Sequence, residues 1–365
     1  MKFIHLADMH FDSCFSNLSD NKTLGNKKRL EQREVFKKII EYIKENNIPY
    51  LFISADLYEN EHIQETTIEY INRLFIQIPN TKIFISPGNH DPFTKNSYYN
   101  SYNWASNVKI FGPEIEKVSL QEADIYGYGF DDFYCTDSKI EELEIEDKNK
   151  LNILIIHGTL DGANIEEKQY NSMNKAMLES KGFDYVALGH IHKADYNTIK
   201  EQYIVYPGST ISMGFDEIGE HGVIYGELTK EHIKLEFMSM SKLNFEEIKL
   251  DCSECYSKEE LIENIKGLEL NKDRLYKIML TGKRHFEINT YDIYNYELNE
   301  NIIKIKNKTT INYDLEKLSN EGTLRGLFAK EMLNKMKEAK TQEELEILEN
   351  AIEIGMEVIN WELIN

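Results

Sequence analysis

The chain has 365 residues, more than one compact domain usually holds, so we expect at least two domains. Hydrophobic residues make up 41% of it and charged residues 29%, with 19 Gly and 6 Pro, which excludes collagen-like, low-complexity and wholly disordered chains. The formal charge of -21 opposes binding of nucleic acid and anionic membranes. A polyanionic substrate would therefore need bound metals or the basic surface of a partner.

No apolar run approaches the roughly 18 to 20 residues that cross a bilayer, and Asp8 and His10 interrupt the N-terminal stretch, unlike a signal peptide. We therefore expect a cytoplasmic protein without membrane association. Four cysteines are too few and too scattered for a disulfide scaffold. Cys252 and Cys255 form a C-x-x-C pair, which we interpret as reduced thiols because no second suitably spaced ligand pair follows.

The first 240 residues alternate short apolar runs with amphipathic stretches. The runs are rich in Ile, Phe, Val and Tyr, and runs that are apolar on both faces are typical of buried strands. They cover residues 2–7, 50–54, 82–86, 107–111, 151–156, 185–188, 203–206, 222–228 and 232–238. Apolar residues at three-to-four spacing predict helices over residues 27–46, 62–78 and 169–180. This alternation predicts a layered α/β domain.

The pattern changes after residue 240. Strands are predicted over residues 244–250, 275–281 and 301–306, with a helix over 258–266. Two more helices are predicted over residues 322–337 and 342–361, and the second has a capping box of Thr341 and Glu344 and an apolar stripe that includes Ile352 and Met356. The predicted domains are therefore 1–239, an α/β domain; 240–318, a small α+β domain; and 319–365, a helical hairpin.

Polar side chains follow five of the predicted strands. Because ligands bind at the carboxyl ends of strands in layered α/β folds, these side chains can converge on one cleft. They are Asp8, His10, Asp56, Asn89, His90, His157, His190 and His192. Carboxylate and amide oxygens mixed with imidazoles favour first-row divalent metals such as manganese, iron or zinc. Seven donors with one bridging carboxylate make a two-metal centre suited to phosphoryl displacement, and the eighth residue is then free for acid catalysis.

The ordered motifs resemble the calcineurin-like metallophosphoesterase superfamily, and within it the SbcD-type DNA double-strand-break repair exonucleases. The resemblance rests on D-x-H at Asp8, G-N-H-D ending at Asp91, H-G at His157, G-H-x-H ending at His192, and the flanking sequence Y-P-G-S-T from Tyr206 followed by F-D-E ending at Glu217. It covers about the first 240 residues. It implies a layered β-sandwich core flanked by helices, with a small α+β cap domain and a C-terminal helical segment.

The resemblance also implies a role for each motif residue. One metal would be held by Asp8, His10, Asp56 and His192, and the other by Asp56, Asn89, His157 and His190, so Asp56 would bridge. His90 would act on the scissile phosphate or its leaving oxygen, and Asp91 would orient His90 or a neighbouring loop. The implied cofactor is a pair of divalent ions, manganese above all, and a hydroxide bound to them would hydrolyse the phosphodiester.

The implied protein is a manganese-dependent DNA nuclease that forms a homodimer and works with an SbcC-type coiled-coil ATPase. The C-terminal hairpin would dock on that ATPase, or would simply pack on its own domain. Lys272, Arg274 and Lys277 are candidate contacts to DNA phosphates. Two alternatives stay open: a phosphatase or cyclic-nucleotide phosphodiesterase acting on a small phosphoester, and a non-enzymatic scaffold stapled by metals.

Three residues depart from the family pattern. Ala55 stands where Gly usually precedes the bridging Asp, a change that is tolerable if the backbone there is not left-handed. Glu59 replaces an active-site His of some relatives, and would either repel phosphate or stay off the site. Asp12 replaces a common small residue.

Two further sets of side chains are interpreted as structural. The basic run within residues 27–38 is interleaved with acidic residues and is interpreted as a solvated helix face. The aromatic cluster Tyr98, Tyr99, Tyr102 and Trp104 is interpreted as packing a loop on the core rather than stacking bases.

Overall fold

A computed structural model describes residues 1–15, 22–135, 138–161, 170–194, 203–286 and 288–362. The chain divides into two compact units, Met1–Glu246 and Glu247–Asn365. Within these ranges, no helix is both long and apolar enough to cross a membrane.

The first unit alternates strands and helices as the periodicity predicts. In chain order its elements are β1 (Lys2–Leu6), α1 (Lys22–Glu45), β2 (Tyr50–Ile53), α2 (Glu65–Ile76), β3 (Lys82–Ile85), α3 (Tyr98–Ser101), β4 (Val108–Ile110), β5 (Glu116–Ser119), β6 (Ala123–Gly127), a 3-10 helix (Ile140–Glu142), β7 (Leu151–His157), α4 (Lys175–Lys181), β8 (Tyr185–Gly189), β9 (Ile204–Val205), β10 (Gly222–Leu228) and β11 (Ile233–Ser239). The helix predicted over 169–180 is shorter, since residues 170–174 are not helical, and residue 169 lies outside the described ranges.

Two sheets form the core of this unit. In the part of the chain that is described, the first sheet has the order β11-β10-β1-β2-β3-β4, with β1 to β4 parallel, and the second has the order β5-β6-β7-β8-β9, with β6 to β9 parallel. Their inner faces share one hydrophobic cluster, in which the Phe3 and Tyr185 ring centroids lie 4.6 Å apart. Burial of this apolar surface is the main force that holds the sheets together.

The strands β5 and β6 were not predicted from the sequence. β6 is fully buried in spite of Asp124, whose carboxylate pairs with the Lys150 ammonium at 3.3 Å. This pairing makes burial of the charge tolerable, and it joins residues 26 positions apart, which a local pattern does not reveal.

Helix α1 packs its apolar side on the first sheet through residues such as Phe36, which contacts Phe11 and Phe75. The interpretation of its basic run as a solvated face is wrong for Lys28, which is fully buried. The Lys28 Nζ donates to Glu31 Oε2 at 2.6 Å and to the Leu243 carbonyl at 3.0 Å. A buried ammonium is tolerated only when it is paired in this way.

The second unit combines a small sheet with helices. From the unit boundary onward its elements are β12 (Asn244–Asp251), α5 (Lys258–Lys266), β13 (Arg274–Thr281), β14 (Lys283–Arg284), α6 (Thr290–Ile293), β15 (Ile302–Asn307), β16 (Thr310–Ile311), α7 (Leu315–Leu318), α8 (Leu324–Glu338) and α9 (Gln342–Glu362). β12, β13 and β15 form one sheet, and β14 pairs with β16. Cys252 and Cys255 are free thiols buried in the core of this unit.

Helices α8 and α9 pack against each other through Ala329, Met332, Ile352 and Met356. The predicted capping box is present, because the Glu344 N–H donates to Thr341 Oγ1 at 3.1 Å and the Thr341 N–H donates to Glu344 Oε2 at 3.3 Å. The predicted fold class is confirmed: a layered β-sandwich core flanked by helices, followed by an α+β region and a helical C-terminal segment. The separation of residues 319–365 as a domain of their own stays a prediction.

Candidate metal centre

The carboxyl ends of strands from both sheets bring the predicted site residues together. Asp8 and His10 follow β1, Asp56 follows β2, Asn89 and His90 follow β3, His157 ends β7, and His190 and His192 follow β8. All except His90 and His192 are buried. The sandwich therefore gathers side chains from five strands at one edge.

Asp8, His10 and His192 form a first ligand group, in which one ligand atom from each lies within 4.8 Å of the others. The Nε2 atoms of His10 and His192 are 3.1 Å apart. Two imidazole nitrogens so close need a shared proton or a cation between them. This is the set that the family resemblance assigns to one metal, without its bridging Asp56.

A second group comprises Asp8, Asp56 and His157, again with ligand atoms within 4.8 Å. The His157 Nε2 lies 3.4 Å from Asp56 Oδ2 and 2.8 Å from Asn89 Oδ1. The His190 ring lies beside the His157 ring, with centroids 5.1 Å apart. His10, Asp56 and His90 form a third group, so Asp8, His10 and Asp56 each belong to two of the three. The Asp56 Oδ2 lies 4.0 Å from His10 Nε2 and 3.4 Å from His157 Nε2. This place between one histidine of each predicted metal suits the bridging role that the resemblance implies.

Hydrogen bonds hold three of these imidazoles with Nε2 facing the cluster. The Nδ1–H of His10 donates to Glu59 Oε1 at 2.8 Å, that of His192 to Glu217 Oε1 at 3.3 Å, and that of His157 to the Ser54 carbonyl at 3.4 Å. In this tautomer each Nε2 carries a lone pair. A carboxylate or carbonyl on the far nitrogen is the usual support of a metal-binding histidine, so the arrangement fits a metal centre.

The electrostatics of the cluster also fit a cation. Burial raises the pKa of Asp8 to about 8. Burial alone would also raise the pKa of Asp56, but the nearby His157, His90 and His10 lower it to about 2. Burial lowers the pKa of His157 to about 3, so this imidazole is neutral and able to bind metal. Two buried carboxyl groups beside the neutral His157 imidazole make a donor set suited to first-row divalent ions.

Glu59 lies in the site, so the expectation that it stays off the site is wrong, and the alternative, that it repels phosphate, stays a prediction. Its Oε1 accepts from His10 and its Oε2 accepts from the Nδ1–H of His90, both at 2.8 Å. Burial would raise the pKa of Glu59, but these two hydrogen bonds lower it well below its ordinary value. Burial likewise would lower the pKa of His90, but Glu59 and the charge of Asp56 raise it to about 9.

The backbone of the two ligand loops is left-handed at several non-glycine residues. Asp8 and His10 both have φ 49°, Ala55 has φ 73° and Asp56 has φ 47°. The condition for tolerating Ala55 is therefore not met, and this residue adds strain of about 1–2 kcal/mol that Gly would avoid. Gln32 braces the first loop, because its Nε2 donates to the carbonyls of Met9 and His10 at 3.0 and 2.7 Å.

Asp91 supports loops and does not contact the His90 ring through any hydrogen bond that the described residues show. Its carboxylate accepts from the N–H groups of Gly88 and Leu57 at 2.8 and 2.6 Å, and from the Tyr99 hydroxyl at 2.6 Å. It thereby ties the Asn89 loop to the Asp56 loop. Tyr99 is buried in this contact, which agrees with a packing role for the aromatic cluster.

Asp12 and one of the candidate DNA-contacting cations, Lys277, have local partners. The Asp12 carboxylate accepts from the Gln64 N–H at 3.1 Å and lies 3.5 Å from the Arg33 guanidinium. In the second unit, Lys272 is exposed and Arg274 is half-buried, whereas the Lys277 ammonium pairs with Glu247 at 2.5 Å. Lys277 is therefore less available to a phosphate than Lys272.

Sequence reasoning missed the roles of Glu59, Gln32 and Glu217. Glu217 is 6% exposed, accepts from His192, and also accepts from the Ser209 hydroxyl at 2.5 Å. It lies 25 positions after the histidine that it supports, and Gln32 lies 22 positions after His10. The signal available for Glu217 was its place in the flanking sequence after Tyr206, which carried the resemblance but no assigned role.

Comparison with known proteins gives three findings. The model of the calcineurin-like phosphoesterase family matches residues 1–194, more than half of the chain. The uncharacterized metallophosphoesterase YhaO of Bacillus subtilis is 23% identical over 274 residues, which cover 73% of this chain and 66% of that protein. The SbcD component of the nuclease SbcCD of Staphylococcus epidermidis is 26% identical over 256 residues, covering 60% of this chain and 64% of that protein. The chain thus spans slightly less than two thirds of each relative.

Proposed function

The chain belongs to the calcineurin-like phosphoesterase family, and from that premise we propose that it is the manganese-dependent nuclease component of a DNA-processing complex. The observation that supports this is the convergence of ligand atoms from two sheets into overlapping groups, two of which include Asp56, with His90 at their exposed rim. The similarity to a protein named as part of a nuclease supports DNA as the substrate.

The proposed chemistry is hydrolysis of a phosphodiester. Two divalent ions, when bound, would neutralise phosphate charge and lower the pKa of a coordinated water. The chain supplies the rest. Glu59 holds His90 by Nδ1 and leaves Nε2–H as the donor to the leaving oxygen. A pKa near 9 keeps that imidazole protonated at neutral pH, as a general acid requires.

We propose that a coiled-coil ATPase of the SbcC type docks on the outer face of the C-terminal hairpin. The apolar stripe predicted from the sequence does not serve this purpose, because Ile352 and Met356 pack inside the hairpin. A different set of large apolar side chains is exposed on α8 and α9: Leu324, Leu327, Ile347, Ile354 and Val358. On α9 their spacing of seven and four places them on one face, which suits a partner helix.

A partner would also offset the repulsion between this acidic chain and DNA. The chain carries a formal charge of -21 and would hold DNA poorly by itself. We propose that the ATPase supplies the basic surface, with Lys272 and Arg274 as local contacts, and that the complex contains a homodimer of this chain.

The first experiment is cleavage of end-labelled duplex and single-stranded DNA with manganese, beside hydrolysis of bis(p-nitrophenyl) phosphate. We expect wild type to cleave both substrates and Asp56→Ala to cleave neither, because Asp56 is the proposed bridging ligand and its loss should empty both metal sites. Asp124→Ala is the control for removal of a buried aspartate away from the site. DNA cleavage that survives in Asp56→Ala would contradict the proposal.

The second experiment is co-purification with an SbcC-type ATPase. Leu327→Asp with Ile354→Asp should weaken binding about 30-fold or more, since each places a charge at the centre of an apolar contact. The control is Tyr256→Asp, which places the same charge at an exposed tyrosine elsewhere in the second unit. Light scattering on the same samples measures the stoichiometry. Equal binding by the double variant and wild type would remove the hairpin from the proposed interface.

A small phosphoester is the second candidate substrate. It is favoured by the acidic charge of the chain, which opposes binding of DNA. Hydrolysis of the small diester without DNA cleavage, both alone and with the ATPase, would support this alternative.

A further inference from the structure

A cavity of about 240 Å³ opens beside His90, and the proposed function assigns it no role. It is lined by Glu59, Glu61, Asn89, His90, Phe133, Tyr134 and Tyr170. One wall connects directly with the ligand cluster, because the Tyr170 ring meets the His190 ring edge-on with centroids 5.6 Å apart. A group in this cavity would therefore lie next to a phosphate held at the centre.

The cavity combines an aromatic wall with acidic groups. Tyr134 is 71% exposed, and its ring centroid lies 6.4 Å from that of Tyr170. Glu59 and Glu61 supply carboxylates, and none of the described residues that line the cavity is Lys or Arg. Such a surface repels a phosphate, yet it offers ring faces and hydrogen-bond acceptors to a neutral planar group.

We propose that this cavity binds one unpaired nucleobase of the substrate, next to the scissile phosphate. The inference rests on the proposed phosphodiesterase function and deepens it. Stacking on Tyr134 and Tyr170 would hold the base, as aromatic side chains do in single-strand binding proteins. The Glu61 carboxylate would accept from an exocyclic amino group, as acidic side chains do from cytosine.

Two consequences for the substrate follow. The proposed contacts use the ring faces and the amino group of an unpaired base, so a duplex end must be opened before it enters, which costs a few kcal/mol in base-extruding enzymes. Single-stranded or frayed ends are therefore the preferred substrates. Thymine, whose ring N–H is flanked by two carbonyl oxygens, is disfavoured beside a carboxylate relative to adenine, cytosine or guanine.

The test uses the full-length protein with manganese and oligonucleotides that carry 2-aminopurine at the 5′ or the 3′ terminal nucleotide. Stopped-flow fluorescence reports stacking of this base at the moment of binding, before cleavage. We expect quenching by wild type and by Tyr134→Phe, and binding about 5- to 100-fold weaker for Tyr134→Ala. Tyr291→Ala, an exposed aromatic in the second unit, is the matched control and should bind as wild type does.

An oligonucleotide with an abasic terminal nucleotide completes a thermodynamic cycle of two proteins, wild type and Tyr134→Ala, and two oligonucleotides, with and without the terminal base. It should bind wild type as weakly as the base-bearing oligonucleotide binds Tyr134→Ala, and the Tyr134→Ala variant should not distinguish the two. If removal of the base and removal of the Tyr134 ring weaken binding independently, so that their losses of binding free energy add, the inference is overturned. It is also overturned if wild type does not quench the probe.

Hydrolysis of bis(p-nitrophenyl) phosphate by the same preparations separates the two proposals. Tyr291→Ala should keep this activity within about twofold of wild type, because Tyr291 does not line the cavity. If wild type quenches the probe but hydrolyses no diester, the proposed function fails and the base site stands. If wild type hydrolyses the diester but the thermodynamic cycle shows no coupling between Tyr134 and the base, the proposed function stands and the base site is wrong.

Discussion

The two units of this chain differ in what they bury and in what they expose. Among the described residues, every buried Asp, Glu, His and Lys lies in Met1–Glu246, whereas the buried polar residues of Glu247–Asn365 are Asn301 and Thr309. The second unit is a third of the chain, yet it carries nine of the thirteen exposed large apolar side chains in the described ranges. Buried charge is costly and exposed apolar surface indicates contact sites, so this difference supports the proposed chemistry in the first unit and the proposed association through the second.

Replacing His90 tests the proposed chemistry of the first unit. His90→Asn should lower kcat about 10²- to 10⁴-fold on DNA, because the leaving alkoxide loses its acid. The loss should be much smaller on bis(p-nitrophenyl) phosphate, whose leaving group needs no proton. Metal content, measured by mass spectrometry, should be unchanged, and binding to the ATPase should be unchanged as well. A fall in metal content would instead identify His90 as a ligand, in line with its place in the third ligand group.

The buried Lys28–Glu31 pair tests how the first unit tolerates its charges. Glu31 accepts from the N–H groups of Lys242 and Leu243, both at 2.8 Å, besides Lys28. Glu31→Gln leaves the ammonium unpaired and should lower the free energy of unfolding by about 3–5 kcal/mol. Glu34→Gln, on the exposed side of the same helix, should change it by less than about 0.5 kcal/mol.

The same pair predicts a pH dependence. Burial would raise the pKa of Glu31, but Lys28 holds it below the ordinary 4.5. The unfolded chain therefore takes up this proton at a higher pH than the folded chain, so the stabilisation is complete above pH 4.5 and is lost as the pH falls through the lower, folded pKa. Urea unfolding at several pH values measures this loss of unfolding free energy at acid pH. The loss should be smaller in the double variant Lys28→Met/Glu31→Leu.

Replacing Glu217 tests how much the hydrogen bond that supports His192 contributes to metal binding. Glu217→Gln should weaken manganese binding about 10- to 100-fold, because His192 loses its charged hydrogen-bond partner. Titration calorimetry measures the affinity directly, and Glu231→Gln at the surface is the control. Saturating manganese should restore most of the activity, whereas a purely structural defect would not respond to the metal.

The smallest expected effect concerns the second unit. Ile354→Asp should leave hydrolysis of the small diester within about twofold of wild type, since the exposed face of α9 takes no part in the proposed chemistry. A large loss of this activity would break the comparison between the units and would assign the hairpin a role in the centre itself.

The sequence predicted the parts of the fold and site that depend on local order. Strands rich in Ile and Phe indicated the sheets, and the polar residues directly after them indicated Asp8, Asp56 and His157, because a strand end fixes where the next side chain lies. Strands β5 and β6 were missed because their short patterns depend on a distant partner, as with Asp124 and Lys150. Glu59, Glu217 and Lys28 act through side-chain contacts across the fold, which no local spacing encodes.

The left-handed backbone at Ala55 was also beyond sequence reasoning. Its φ of 73° follows from the path between β2 and Asp56, and the Ala55 carbonyl accepts from the Asp8 N–H at 3.2 Å. The requirement belongs to the loop, and the residue type alone gives no sign of it.

The central position of β1 has a consequence for synthesis of the protein. This first strand pairs with β2 on one side and with β10, more than 200 residues later, on the other. At about 5–20 residues per second, a ribosome needs roughly ten to forty seconds between making Asp8 and making β10. For most of that time the first ligands exist without His190 and His192, and for more than half of it without His157. A nascent chain therefore has no complete centre, and the order of synthesis delays the phosphoester chemistry until the first unit is nearly finished.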